Sequence, residues 1–230
     1  MTNPETPADT RDMYMVHTMF RREFAALPAL VREVAAGDTE RAHLVAEHIG
    51  FLSTVLDAHH RAEDTHLWPK LLDRGSDEVG PVVQVMQNHH GRIDQLLART
   101  VAVMGEWRRD ANAEWGRPLA DVLVGLYGVL HEHMNLEEQR ILPLAERYVT
   151  AAEWHAMAGA SGAEMPPEKI SLIFGMTLYE ADPEVMENTL SLLPSEVRTM
   201  FEERGPRDFA VYSERIHGTP APCRSAPSIS

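Results

Sequence analysis

The chain has 230 residues, is 44% hydrophobic and 24% charged, and sets 35 acidic residues against 21 Lys and Arg for a formal net charge of −14. That length buries a substantial core as one domain or as one domain with an appendage. The acidic balance argues against nucleic acid or an anionic membrane surface as the main partner, and a single cysteine, Cys223, leaves no intrachain disulfide or thiolate cluster. A reducing, cytoplasmic setting is expected. The first residues lack a basic segment followed by an apolar one, so no signal peptide is expected. No apolar run approaches the roughly 18–20 residues of a membrane span.

Residues 1–10, with two prolines and few apolar side chains, are expected to be a disordered lead-in. From about 11 to 36, Met13, Phe20, Phe24, Leu27 and Val31 recur at helical spacing, and Pro28 should bend that helix. Gly37-Asp38 closes it, and Asp38 is placed to cap a second helix, about 39–73, that ends at Arg74-Gly75. A third, about 77–110, carries Val83, Met86, Ile93, Leu97, Val101 and Met104 on one stripe. A break near Trp115-Gly116-Arg117-Pro118 leads into a fourth, about 118–148. Period-two alternation and β-branched clusters are missing. The pattern predicts an all-α protein with an antiparallel up-down-up-down four-helix bundle over residues 11–150.

Beyond residue 149 the character changes. Thr150-x-x-Glu153 has the form of a capping box, SGAEMPPEK reads as a linker, and shorter helices are expected at about 167–180, 183–193 and 195–215. Asp182-Pro183 suits an N-cap followed by the first helical residue. Residues 151–217 are expected to form a helical extension packed on the bundle, and 218–230 a flexible tail.

One signature occurs twice. His59-x-x-x-Glu63 is followed by Pro69, and His133-x-x-x-Glu137 by Pro143, with every member displaced by 74 positions; His17 lies 42 residues before His59 and His90 lies 43 before His133. Helical residues advance by about 100°, so a His and a Glu four apart share a face and can converge on one cation. The apolar stripes place His17, His59, Glu63, His90, His133 and Glu137 inward, whereas His60, Asp64 and His89 fall about 100° or more away, on the flanks. A buried, unpaired carboxylate is costly. Two of them facing four imidazoles make sense if cations neutralise the cluster, and the donor mixture suits iron, manganese or zinc.

A single His on an apolar face is more often a hydrogen-bonded core residue, and a single HxxxE more often a surface pair. The duplication selects metal ligation. His43, His48, His60, His66, His89, His131, His155 and His217 read as surface groups or neighbours of the ligands, and Met13 and Met86 as packing residues.

These residues resemble the hemerythrin-like, or HHE cation-binding, family, in which H…HxxxE recurs and each Glu is followed by a segment like Leu67-Trp68-Pro69 or Ile141-Leu142-Pro143. The resemblance covers roughly residues 11–150. It implies an antiparallel bundle around a non-haem di-iron centre held by His17, His59, Glu63, His90, His133 and Glu137, with the two Glu bridging. Oxygen-carrying hemerythrins use a fifth histidine on the third helix, at the position of Met86, and an Asp at the position of Glu138. The four-His, two-Glu variety is similar to bacterial proteins associated with peroxide and nitric oxide handling or with iron and oxygen sensing.

The resemblance thus implies two iron ions, oxo- or hydroxo-bridged, with zinc or manganese also compatible, and O2, H2O2 or NO as the small-molecule partner. Water, hydroxide, a tyrosine or an exogenous ligand would complete the coordination. Neither nucleic acid nor a membrane is expected as a partner; a homodimer is compatible. Disproportionation of hydrogen peroxide is the most concrete activity, with Tyr127, Tyr14 or His60 available to carry a proton. The alternative is a non-catalytic sensor of iron, O2 or NO, or an iron store, with residues 150–217 reporting its state. A structural zinc site is a third reading, weakened by the preference of such sites for four ligands, often Cys.

Overall fold

Capping side chains and backbone breakers set the helix limits. The computed structural model describes residues 6–225; residues 1–5 of the expected lead-in and 226–230 of the expected tail lie outside them. Helix α1 spans Arg11–Arg32, and Asp38 opens α2 (Thr39–Ala62) by accepting the Arg41 N–H. A π-helical turn, Glu63–Leu67, joins α2 to α3 (Trp68–Asp110). Gly75 interrupts α3 with φ −137° and ψ 35°, so its first residues extend α2 and the remainder runs back beside it. A side chain at position 75 would lie 2.8 Å from the Tyr148 ring and 2.9 Å from Val79, and only glycine allows so close a reversal.

The fourth bundle helix consists of α4 (Ala113–Leu136), a second π-helical turn (Glu137–Ile141) and α5 (Leu142–Tyr148). The break before it is not at Trp115–Pro118, as the sequence suggested, but at Ala111-Asn112. Ala111 takes a left-handed φ of 53°, and the Asn112 side chain caps α4 by accepting the Glu114 N–H. Pro118 lies inside α4, where it forfeits a single backbone bond close to the helix start.

Four more helices follow: α6 (Ala151–Ala163), α7 (Pro167–Leu178), α8 (Pro183–Ser191) and α9 (Ser195–His217). Thr150 and Glu153 form the reciprocal capping box, and Asp182 accepts from the N–H groups of Glu184 and Val185. Helices α7 and α9 cross at Gly175 and Gly205, so closely that a methyl group on Gly175 would collide with the Gly205 carbonyl. No strand occurs among the described residues, and none of their helices is long and apolar enough to cross a membrane.

Two expected loose segments are held in place. Ala8 N–H donates to Val149 O (3.0 Å), Ala151 N–H donates to Thr6 O (2.7 Å), and Ala8 and Thr10 are buried. In the tail, Ser213 Oγ donates to Thr219 O, Tyr179 Oη to Pro222 O, and the Ser225 N–H to Glu180. Backbone groups on both sides found partners that hydropathy cannot reveal.

The interior divides into two apolar clusters. One holds Phe20, Leu52, Leu56, Ile93, Leu126 and Leu130; the other holds Met13, Ala62, Trp68, Met86, Ile141 and Leu142. On every bundle helix the chain passes from one cluster to the other through a ligand-type residue: Met13–His17–Phe20, Leu56–His59–Ala62, Met86–His90–Ile93 and Leu130–His133–Ile141. A polar layer therefore lies across the middle of the bundle.

Candidate metal centre

The recurrent prolines act on the backbone. Pro69 and Pro143 have no N–H for the carbonyls of Thr65 and Gln139 four residues earlier, and their rings crowd those carbonyls. The helix widens in response. Trp68 N–H bonds to Glu63 O and Leu142 N–H to Glu137 O, each spanning five residues instead of four. Each π-helical turn thus opens on the inward glutamate, which explains why a proline stands six residues after both.

The six residues singled out by the sequence come together. His17, Glu63, His133 and Glu137 are fully buried, and His90 and His59 nearly so. Glu63 faces His59 Nε2 at 3.0 Å and His90 Nε2 at 3.3 Å; Glu137 faces His17 Nε2 at 3.3 Å and His133 Nε2 at 3.5 Å. These approaches are short but misaligned for hydrogen bonding. The four Nε2 atoms and all four carboxylate oxygens have no hydrogen-bond partner. Ligand atoms of His17, His59 and Glu137 lie within 4.8 Å of one another, as do those of Glu63, His133 and Glu137. Donor atoms gathered this closely and without hydrogen-bond partners suit cations.

The outer nitrogens of two rings are held by acids. His17 Nδ1 lies 2.8 Å from Glu138 Oε1, which also accepts from Arg21 at 2.7 Å. His90 Nδ1 lies 2.9 Å from Asp64 Oδ1, which also accepts from Trp68 Nε1 at 2.7 Å. Each acid directly follows an inward glutamate and orients a ring from the other helical hairpin, turning its Nε2 inward. The sequence carried this signal, because Asp64 and Glu138 are spaced by the same 74 positions.

The local potential is negative. Burial lowers the affinity of His17 and His90 for a proton, yet Glu137 and Glu138 raise His17 to about 9, and Asp64 and Glu63 raise His90 to about 10. Burial pushes the Glu63 carboxyl upward, but His59 and His90 outweigh it and hold its pKa well below the ordinary value; Glu137 is pushed up by burial and by the Glu63 charge. A cation would answer the same potential.

Three histidines depart from the sequence reading. His60, expected on the flank, is buried; its ring stacks on His90 at 4.1 Å and meets His133 edge-on at 4.9 Å. Burial, then the neighbouring His90 and His133, keep it neutral with a pKa well below 6.5. His89 is buried with its ring 6.1 Å from His133. His48 is also buried, near Glu23 and His217, away from the duplicated set. Helix α2 has neighbours on two sides, so its buried face is wider than the single stripe assumed from periodicity. Tyr14 and Tyr127 line a cleft on the outer side of the centre, with Arg21, Glu138 and, from the tail, Cys223 and Arg224.

A model of the hemerythrin HHE cation binding domain matches residues 9–145, more than half of the chain. The chain belongs to the hemerythrin HHE family. The matched segment contains all six converging residues and both π-helical turns, and it stops before α6. No curated protein and no solved structure matches the chain. A hemerythrin HHE domain implies binding of metal ions such as iron, and the orphaned imidazole and carboxylate atoms fit that requirement.

Proposed function

We propose that this hemerythrin HHE protein holds two iron ions on His17, His59, Glu63, His90, His133 and Glu137 and uses them to bind small oxidants of the O2, peroxide and nitric oxide class. Hydrogen peroxide disproportionation is the proposed reaction. The observation that carries the reading is the layer of inward imidazole and carboxylate atoms without hydrogen-bond partners, set between two apolar clusters. Leaving such groups unanswered costs about 1–3 kcal/mol each, and more where they are charged. Two carboxylates, each opposite two imidazoles, provide for a pair of cations better than for one.

When bound, the irons supply Lewis acidity and a redox couple of one electron per ion. The chain does the rest. Glu63 and Glu137 offer two oxygens apiece between the imidazole pairs; Asp64 and Glu138 fix the rings; Phe20, packed 5.3 Å from the His59 ring, and the surrounding aliphatic side chains exclude bulk water. The stoichiometry needs no outside reductant: one peroxide gives up two electrons and two protons as it becomes O2, and a second takes them up to become two waters. Iron-loaded protein is expected to evolve O2 from H2O2 at least about tenfold faster than its His59→Ala variant, a difference of about 1.4 kcal/mol in barrier. Equal rates measured with an oxygen electrode would sink the catalytic reading.

One feature favours a second reading, a non-catalytic sensor or iron store. The C-terminal helices grip α1, the helix that carries His17: Arg22 donates to Met176 O at 2.8 Å and to Glu180 at 2.7 Å. A sensor predicts that proteolysis within residues 150–217 changes between metal-free, reduced and oxidised protein. Identical cleavage rates in all three would remove this alternative.

A further inference from the structure

His60 sits in the polar layer with nothing to bond to. The residue is 4% exposed, and neither Nδ1 nor Nε2 has a hydrogen-bond partner. A neutral imidazole carries one N–H and one lone pair, and an ordinary core histidine satisfies at least one of them with a carbonyl, hydroxyl or carboxylate. Around His60 stand other rings instead: His90 at 4.1 Å and nearly parallel (15°), His133 at 4.9 Å and His59 at 5.6 Å. Near-parallel stacking holds the two ring planes apart, so the in-plane lone pairs of His60 and His90 meet at one ion once the His60 ring turns about its Cβ–Cγ bond. Ligand atoms of His60, His90 and His133 lie within 4.8 Å of one another, the same closeness as in the triads that include the glutamates. A proton relay would need a hydrogen-bonded path at one of the two nitrogens.

We infer that His60 is a metal ligand, the third imidazole on the ion held by His90 and His133. The inference rests on the di-iron reading above and deepens it, because it makes the two ions unequal. One receives His60, His90 and His133, the other His17 and His59, with Glu63 and Glu137 between them. The coordination position left for a small oxidant then belongs to the ion at His17 and His59.

The test uses full-length protein loaded anaerobically with iron(II), its histidines labelled with 15N in the ring. Each ligating imidazole contributes one solvent-exchangeable N–H resonance strongly shifted by the paramagnetic metal. Five are expected in the unaltered protein. In His60→Gln four are expected, with affinity for one of the two irons reduced at least about tenfold, in the range seen when metal-supporting residues are removed. Fewer than five in the unaltered protein overturns the inference, a count that does not depend on whether a variant folds. So does a His60→Gln protein that binds both irons with unchanged affinity and resonances. Failure of the unaltered protein to take up two irons would overturn the underlying di-iron reading as well, and so is told apart from failure of His60 alone.

Discussion

Asp64 and Glu138 illustrate how much of the centre is decided one shell out from the converging atoms. Each is placed by a neighbour as well as by its ring: Trp68 Nε1 holds Asp64, and Arg21 holds Glu138. Fixing Nδ1 leaves Nε2 facing inward, which saves the entropy of ordering the ring when a cation arrives. Glu138→Ala and Asp64→Ala are therefore each expected to weaken iron binding by about 10–100-fold while leaving all six inward groups in place. Competition titration against a chelator of known affinity measures this, and unchanged affinity in both variants would show that the rings are held by packing alone. The inward set of six was legible because His and Glu interrupt apolar stripes at helical spacing. His60 was not, since its neighbours come from α3 and α4 and no local pattern records them.

At the level of the helix, the two π-helical turns explain the duplicated prolines. Loss of one N–H and crowding of the carbonyl four residues earlier shift the backbone bonding to a five-residue span, opened by the inward glutamate itself. Pro143→Ala restores the N–H and permits ordinary helical winding from Glu137 onward. Its metal-free form is expected to melt at the same or a higher temperature, while its iron affinity falls. Iron binding as tight as in the unaltered protein would mean that tertiary packing, not the proline, sets the wider turn. Helix limits followed the same division. Asp38, Thr150 and Asp182 cap where the sequence placed them. The start of α4 was misplaced because Pro118 is the louder signal, while the effective cap is Asn112 beside a left-handed alanine.

Over the whole molecule, a second buried polar node fastens the extension to the bundle. Glu23 on α1 accepts from Arg22 at 2.7 Å and lies 3.1 Å from His217 Nε2 on α9, while His48 on α2 has its Nδ1 3.0 Å from the Tyr212 hydroxyl of α9. Burial would raise the Glu23 pKa, but the His217 contact and the charges of His48 and Arg22 hold it at about 2; burial lowers His48 to about 4, against the pull of Glu23 and with help from His217 and Arg41. Both shifts have the same sign for stability. The unfolded chain binds the extra proton on His48 between pH 6.5 and 4 and on Glu23 between about 4.5 and 2, so the contribution of this node is full above 6.5 and falls progressively with acid. Hydrogen exchange in α9 should accelerate across that window. Glu23→Gln, which leaves Arg22 with Glu180 as its remaining carboxylate partner and His217 without its acid, should cost about 1–3 kcal/mol and flatten the acid response below pH 4.5. An unchanged pH profile in that variant would place the acid sensitivity elsewhere.

The sequence by itself determined the all-α bundle, the capped helix starts and the inward layer of six, because these follow from periodicity and from chemistry local to a few residues. Only the tertiary structure decided that His60 joins that layer, that residues 6–10 and 218–225 are held in place, and that Glu23, His48 and His217 meet. Those outcomes depend on which surfaces distant segments present to one another, and burial of a polar group is a property of the neighbours it acquires rather than of its own position in a helix.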